Sequence, residues 1–249
     1  MISGVAGSVS PMAFVGPGVE LGSNVSIGPG AVVLGPCVIE DGAWIGAGAQ
    51  VGAPPEMTDH PQNAAWAGQL AHAGVRIGSG AVIREGAVIH QGSYRETTVG
   101  EGAWILNRAY LAHDVLVGAG ATISAGVSIG GHCVIGSQAN IGMNASVHQR
   151  VFIGSGCMVG MGTAVTRDLP PHVKAYGSPL RIHGVNTIGL ERRGTEPSVI
   201  DTIVAAYTSG DLLLETLDLS GMPAALTSEI AQWRERENRR PATPSWSEA

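Results

Sequence analysis

Residues 111–141 read LAHDVLVGAGATISAGVSIGGHCVIGSQANI. Every sixth residue is aliphatic: Leu111, Val117, Ile123, Ile129, Ile135 and Ile141. The same register runs unbroken from Val99 to Val165. It occurs earlier as Ile77, Ile83 and Ile89, and before that as the series from Val9 to Val51. Six residues turn an α-helix by about 600°, so this spacing cannot line one helical face. Nor is it simple strand alternation, although six is a multiple of two. Gly follows the aliphatic residue in many units, as at Gly22, Gly100, Gly118 and Gly136, where a corner is expected to need unusual dihedrals. Four residues after the aliphatic comes a small or branched side chain, such as Ala103, Ala109, Val115, Ala121 and Val127. Cys37, Cys133 and Cys157 all fall in this slot, so they read as small core residues, not ligands or a disulfide framework.

Composition agrees with many thin layers in place of one thick core. The chain has 249 residues, 37 of them Gly, with 44% hydrophobic, 4% aromatic and 14% charged residues. That is too apolar for a disordered chain. No run of 18 apolar residues suggests a membrane span, and the N-terminal stretch lacks the basic and apolar segments of a signal peptide, so a cytoplasmic location is expected. A net charge of −6 argues against a general nucleic-acid binder. Between Arg150 and Arg193, however, Arg150, Arg167, Lys174, Arg181, Arg192 and Arg193 face only Asp168 and Glu191, a basic segment suited to an acidic partner or a phosphate.

The register breaks twice, at 52–74 and at 91–98, and both stretches are expected to leave the solenoid as loops. After Val165 a Pro-rich cap, RDLPPHVKAYGSP (167–179), follows. From Pro197, Val199, Ile200, Ile203, Val204 and Tyr207 take helical spacing, and Leu212, Leu213, Leu214 and Leu217 are read as continuing it. A last helix is expected from Thr227 or Ser228 through Trp233, and the tail from Glu237 is expected to fray. The division expected is 1–182 for the solenoid and 183–249 for a small helical domain.

The six-residue unit resembles the hexapeptide repeat of left-handed parallel β-helices, in which three hexads make one triangular coil. The resemblance implies an all-β solenoid, a left-handed parallel β-helix with a small C-terminal α-helical domain. Its handedness comes from the resemblance alone, since the usual crossover rule favours right-handed connections. Five stretches narrow the likeness: IREGAVIHQGS (83–93), LAHDVLVG (111–118), SVHQRVFIG (146–154), RDLPPHVKAYGSP (167–179) and HGVNTIGLERRG (183–194). Over about residues 77–210 the chain resembles the UDP-N-acetylglucosamine O-acyltransferases of lipid A synthesis.

That family is homotrimeric, with sites between neighbouring prisms, and moves a fatty acyl group from acyl carrier protein to a sugar hydroxyl without metal or redox cofactor. The resemblance implies His113 as general base, Asp114 as its orienting partner and the Gly131 N–H as donor to the thioester oxyanion. His132, His148 and Gln149 would contact substrate. Asn186, Arg192 and Arg193 would approach the nucleotide and phosphates. Proton abstraction by a His suits attack of a weakly nucleophilic hydroxyl. The positions 113, 131 and 149 are 18 apart, one coil each. Tyr110 stands where the family usually has a second His, Ile188 where it has a Glu, and 54–58 does not reproduce its sugar-contacting Asp and Lys. Met143 and Met161, 18 apart, stand where long-chain members have Gly in the acyl groove. They suggest a short to medium acyl chain, plain or 3-hydroxylated. The expected function is acyl transfer from acyl carrier protein or coenzyme A to a hydroxyl or amine of a UDP-N-acetylglucosamine-like sugar nucleotide or another polar acceptor. Two other readings stay open: a non-catalytic trimeric scaffold, and a zinc carbonic anhydrase of the same fold using His90, His113 and His132. His60, His72, His172 and His183 are read as ordinary surface or loop histidines.

Overall fold

A computed structural model describes residues 7–62, 65–67 and 72–246. Short strands, most of two or three residues, stack into three parallel sheets that form the faces of a prism. Among the described residues the first face has eight strands, from Phe14–Val15 to Ala164–Val165. The second has seven, from Val19–Leu21 to Phe152–Ile153. The third has nine, from Ser26–Ile27 to Arg181–Val185. The chain is a left-handed parallel β-helix with short helices at its C-terminal end.

The hexad register is the pairing register. On the first face Leu111 pairs with Ile129, Ile129 with Val147 and Val147 with Val165. These side chains point inward and are buried, as are the small residues of the fourth slot, so each coil adds one layer to a continuous core. Burying one such aliphatic side chain contributes roughly 1.5–3 kcal/mol. The three cysteines are buried in that core with free thiols, and burial pushes each thiol up to about 12. They are packing residues, as expected.

The role expected for the repeated glycines needs correction. The left-handed residue is the third after the aliphatic, not the first: Gly102, Asp114, Gly120 and His132 have φ of 62°, 61°, 64° and 63°. The glycine directly after the aliphatic is required by close approach. A Cβ on Gly118 would lie 2.4 Å from the Ser137 nitrogen of the next coil, and one on Gly136 would lie 2.3 Å from that of Ser155.

Pairing also measures the two breaks. Ile39 pairs with Ile77, 38 positions on instead of 18, so the first break inserts 20 residues. Ile77 pairs with Val99, 22 positions on, so the second inserts four. The strands Gln50–Ala53 and Thr97–Val99 claim the ends of both stretches, so the excursions are shorter than 52–74 and 91–98. Residues 63–64 and 68–71 of the first lie outside the described residues.

At the C-terminal end the Pro-rich segment continues the third face as Val173–Tyr176, which pairs antiparallel with Arg181–Val185. Three helices follow: α1 (Thr187–Arg192), α2 (Pro197–Thr208) and α3 (Ala224–Glu235). α2 does not extend into the leucines. Gly210 takes φ 92°, and the Asp211 carboxylate accepts from the Glu215 and Thr216 amides, folding 211–216 into turns. α3 starts earlier than expected, directly after Pro223, whose fixed φ suits a helix start. The tail is not frayed over its described part. The Asp168 N–H donates to the Arg240 carbonyl, the Ala242 N–H to the Asp168 carbonyl and the Ser245 N–H to the Ile182 carbonyl. Residues 247–249 lie outside the described residues. Nor is His172 a surface residue. It is 1% exposed, and its Nε2 lies 3.0 Å from the Glu229 carboxylate of α3.

Candidate active site

His113 is the second residue after Leu111, at the corner where the chain passes from the first face to the second. On a flat strand Asp114 would point to the opposite side. Its positive φ turns the chain back, and the Asp114 Oδ2 comes 2.6 Å from His113 Nδ1. Asp114 is fully buried. Burial by itself would raise its pKa, but the Ser93 hydroxyl, His113 and the Tyr94 and Arg95 amides outweigh it and hold the carboxyl well below the usual range.

The four-residue insertion explains that environment. The Ser93, Tyr94 and Arg95 amides donate to Asp114 Oδ1 at 2.8, 3.1 and 3.2 Å, and the Ser93 hydroxyl to Oδ2 at 2.6 Å. The Asp114 N–H donates to Thr97 Oγ1 at 2.9 Å, and Arg95 Nε to the Asp114 carbonyl at 2.9 Å. None of Ser93, Tyr94, Arg95 or Thr97 was singled out from sequence. The only signal was the register break that contains them.

One coil on, Gly131 sits against the His113 ring. A Cβ there would be 2.7 Å from both Cε1 and Nε2. Its N–H takes no part in the backbone ladder among the described residues. His132 packs edge-to-face on His113, with centroids 4.7 Å apart, and Tyr94 covers it at 5.5 Å. Burial, then the Arg150 charge, lowers the His132 pKa despite Asp114 nearby, so its ring stays neutral. Its Nδ1 is buried without a hydrogen-bond partner, 3.5 Å from Asp114 Oδ2. His113, Asp114 and His132 thus bring donor atoms within 4.8 Å of one another, a set that a divalent cation can use.

His90, the third histidine of the zinc reading, belongs elsewhere. Its Nδ1 lies 2.7 Å from the Pro54 carbonyl and 2.9 Å from the Glu56 carboxylate. Tyr110 packs on His90 edge-to-face, centroids 5.4 Å apart, and donates its hydroxyl to Glu56. Burial opposes ionisation of Glu56, yet His90 and Tyr110 bring its pKa down to about 2. The described part of the first loop is therefore pinned on the first face by Glu56, beside the strand that leads into His113. Sequence alignment of 54–58 gave no hint of this role.

Gln149 is the next rung of the His113–Gly131 corner and is exposed, as is His148, whose Nδ1 lies 3.1 Å from the Gln149 carbonyl. Asn186 is engaged by the fold. Its Oδ1 accepts from the Gly189 N–H to cap α1, and its Nδ2 donates to the Gly156 carbonyl. Arg193 is held by Glu229 at 2.7 Å, while Arg192 is exposed. Met143 and Met161 follow Ile141 and Val159 of the third face. They therefore stack on the corner between the third and first faces, not on the His113 corner. Within one chain they do not border the same groove as His113.

The chain is similar to several known proteins. A family model described as UDP-N-acetylglucosamine O-acyltransferase, domain 2, matches residues 168–235. Models of bacterial transferase hexapeptide repeats and of the hexapeptide repeat of succinyl-transferase match 96–131 and 127–167. The acyl-[acyl-carrier-protein]–UDP-N-acetylglucosamine O-acyltransferase of Paraburkholderia phytofirmans is 39% identical over 111 residues, 45% of this chain and 42% of that protein. Its counterpart in Burkholderia mallei is 34% identical over 136 residues, 55% and 51% of the two chains. The chain is similar to the UDP-N-acetylglucosamine O-acyltransferases. It matches about half the length of these relatives. The likeness of fold extends further. A UDP-N-acetylglucosamine acyltransferase from Bacteroides fragilis superimposes with a TM-score of 0.74 at 25% identity, covering 94% of this chain and 98% of that one. The acyltransferase model covers the segment that carries α1–α3, and the hexapeptide-repeat models cover the coils of the His113 corner.

Proposed function

We propose that the chain transfers an acyl group from acyl carrier protein or coenzyme A to a hydroxyl or amine of a sugar nucleotide like UDP-N-acetylglucosamine. The observation that carries this reading is the buried His113–Asp114 pair with Gly131 against its ring. Asp114, kept ionised, can only accept, so the proton between them sits on His113 Nδ1. Nε2 then has a free lone pair on the side of Gly131. Nε2 takes the acceptor proton as the acceptor oxygen or nitrogen attacks the thioester carbonyl. The Gly131 N–H receives the oxyanion of the tetrahedral intermediate. Collapse breaks the carbon–sulfur bond, and the proton on Nε2 passes to the departing thiolate. Every step uses groups of the protein. His132, neutral and wedged between Tyr94 and His113, contacts substrate near the reacting carbonyl, with Gln149 beyond it.

The relatives' printed names supply the donor and acceptor classes. On the acceptor side Asn186 and Arg193 are engaged within the fold, and Tyr110 and Ile188 depart from the family pattern. The basic 150–193 segment suits an acidic carrier protein. Met143 and Met161 reach the His113 cleft only from a neighbouring copy, in keeping with a homotrimer whose shortened groove takes a short to medium chain, plain or 3-hydroxylated. Three free thiols suit a cytoplasmic setting.

Mass spectrometry of acceptor incubated with acyl carrier protein thioesters tests the reading. An acylated sugar nucleotide formed by the wild type, and reduced by about 10²–10⁴-fold in His113→Ala, supports it. Equal product from both proteins refutes it. The scaffold reading has no specific observation in its favour, and the three-histidine zinc set loses His90, which is committed to Glu56 and Pro54.

A further inference from the structure

Beside the reacting centre one polar atom is left over. His132 Nδ1 is buried, has no hydrogen-bond partner among the described residues and lies 3.5 Å from Asp114 Oδ2. Buried polar atoms without partners are rare, and each calls for an explanation. The same Asp114 oxygen lies 2.6 Å from His113 Nδ1. His113, Asp114 and His132 each offer a donor atom, all within 4.8 Å of one another. Among the described residues no other three His, Cys, Asp or Glu donors cluster so closely.

The spacing suits a small transition-metal ion. Zinc takes nitrogen at about 2.0–2.1 Å and carboxylate oxygen at about 2.0–2.2 Å in tetrahedral geometry, so neighbouring ligands stand roughly 3.3–3.5 Å apart. His132 and Asp114 already have that separation. The His113–Asp114 pair is shorter because a proton bridges it, and it opens by roughly 0.8 Å once an ion takes the proton's place. The carboxylate is supported as metal-binding carboxylates are. Its Oδ1 accepts from the Ser93, Tyr94 and Arg95 amides, and its Oδ2 from the Ser93 hydroxyl. Arg95 and Arg150 are the charges that oppose a cation here, and Arg95 is engaged by the Asp114 and His132 carbonyls. The His113 and His132 side chains keep 11% and 12% of their surface exposed, which leaves a route in for an ion and for water as its fourth ligand.

We propose that His113, Asp114 and His132 form a binding site for a divalent transition-metal ion of the zinc class, and that the bound ion blocks acyl transfer. The ion is an inhibitor here and not a cofactor. A neutral imidazole carries one proton and one lone pair. With His113 Nδ1 on the metal, the ring proton sits on Nε2, and Nε2 loses the lone pair that takes the acceptor's proton. No proton is gained or lost by the ring in that exchange; it only changes nitrogen. Two imidazole nitrogens among three donors favour zinc over calcium or magnesium, which prefer oxygen. The block rests on the acyl-transfer reading, whereas the site stands on its geometry alone.

Equilibrium dialysis of the full chain against zinc chloride, with bound metal read by mass spectrometry, tests the site. The wild type takes up one zinc per chain. His132→Asn, which suits the left-handed φ of that corner, and Ser93→Ala each weaken binding by about 10–100-fold. His60→Ala, in the first loop, leaves it unchanged. Cobalt chloride gives the visible absorption of four-coordinate cobalt in the wild type and not in His132→Asn. Thermal melts without metal confirm that the variants fold. No zinc uptake overturns the inference. Uptake that survives both substitutions, or that is lost in His60→Ala, means an adventitious ion only and overturns it as well. In the mass-spectrometric transfer assay zinc suppresses acylated product and a chelator restores it. Full product at saturating zinc overturns the block. A chain that binds zinc at this set yet makes no product with metal removed refutes the reaction, and the block with it, and leaves the site standing.

Discussion

Asp114 has a φ of 61° and a carboxylate with no exposed surface, and both facts follow from its place in the hexad. The third position after each aliphatic is the left-handed corner, a conformation that Asp tolerates better than most residues. Sequence made His113, Asp114 and Gly131 visible because they repeat at one-coil spacing and match family motifs. It could not show Ser93, Tyr94 and Arg95, because their role depends on backbone amides of an insertion folding onto Asp114. The contact of Gly131 with the imidazole yields a sharp expectation. Gly131→Ala places a methyl carbon 2.7 Å from Nε2 and Cε1, closer than van der Waals contact allows, so His113 must rotate off Asp114. Acyl transfer is expected to fall by at least about 10²-fold with little change in melting temperature. A transfer assay beside a thermal melt checks this, and full activity would show that the ring position does not matter.

At the scale of the element, the hexad glycines divide into two kinds that composition cannot tell apart. Gly118 avoids the next coil's backbone, whereas Gly102, φ 62°, has nothing within 4 Å of where a Cβ would be. Gly118→Ala is therefore expected to cost about 1–3 kcal/mol and Gly102→Asn about 1 kcal/mol or less, read by denaturant unfolding. The reverse order would contradict the close-approach reading. The first loop supplies a pH test. The Glu56 pKa is about 2 in the folded chain against an ordinary value of 4.5, so its contribution is complete above pH 4.5 and lost as pH falls towards 2. Hydrogen exchange of residues 53–62 should accelerate through that window in the wild type and be fast throughout in Glu56→Gln. The solenoid was legible because period six has one structural meaning. Leu212–Leu217 was misread because apolar spacing alone cannot reveal the Gly210 stop and the Asp211 turn.

For the whole molecule, the three faces meet at edges that carry different candidate residues, His113 on one and Met143 and Met161 on another. Among the described residues no helix is long and apolar enough to cross a membrane. Met143 and Met161 share an edge that His113 does not, so chain-length control by them requires a second copy. Met161→Gly should shift donor preference towards longer acyl chains in a trimer, as read by a donor panel with sedimentation analysis. A monomer, or an unchanged preference, would remove the methionines from the groove. Sequence placed both residues correctly in their hexads. It could not tell which edges of which copies meet, since that is set by contacts between chains. The central claim is that His113 drives transfer to an acceptor, and acceptor-dependent thiol release from acyl carrier protein thioesters tests it most directly. The account predicts release that requires a sugar-nucleotide or other polar acceptor and disappears in His113→Ala. Release that ignores both the acceptor and His113, or none with any donor, would contradict it.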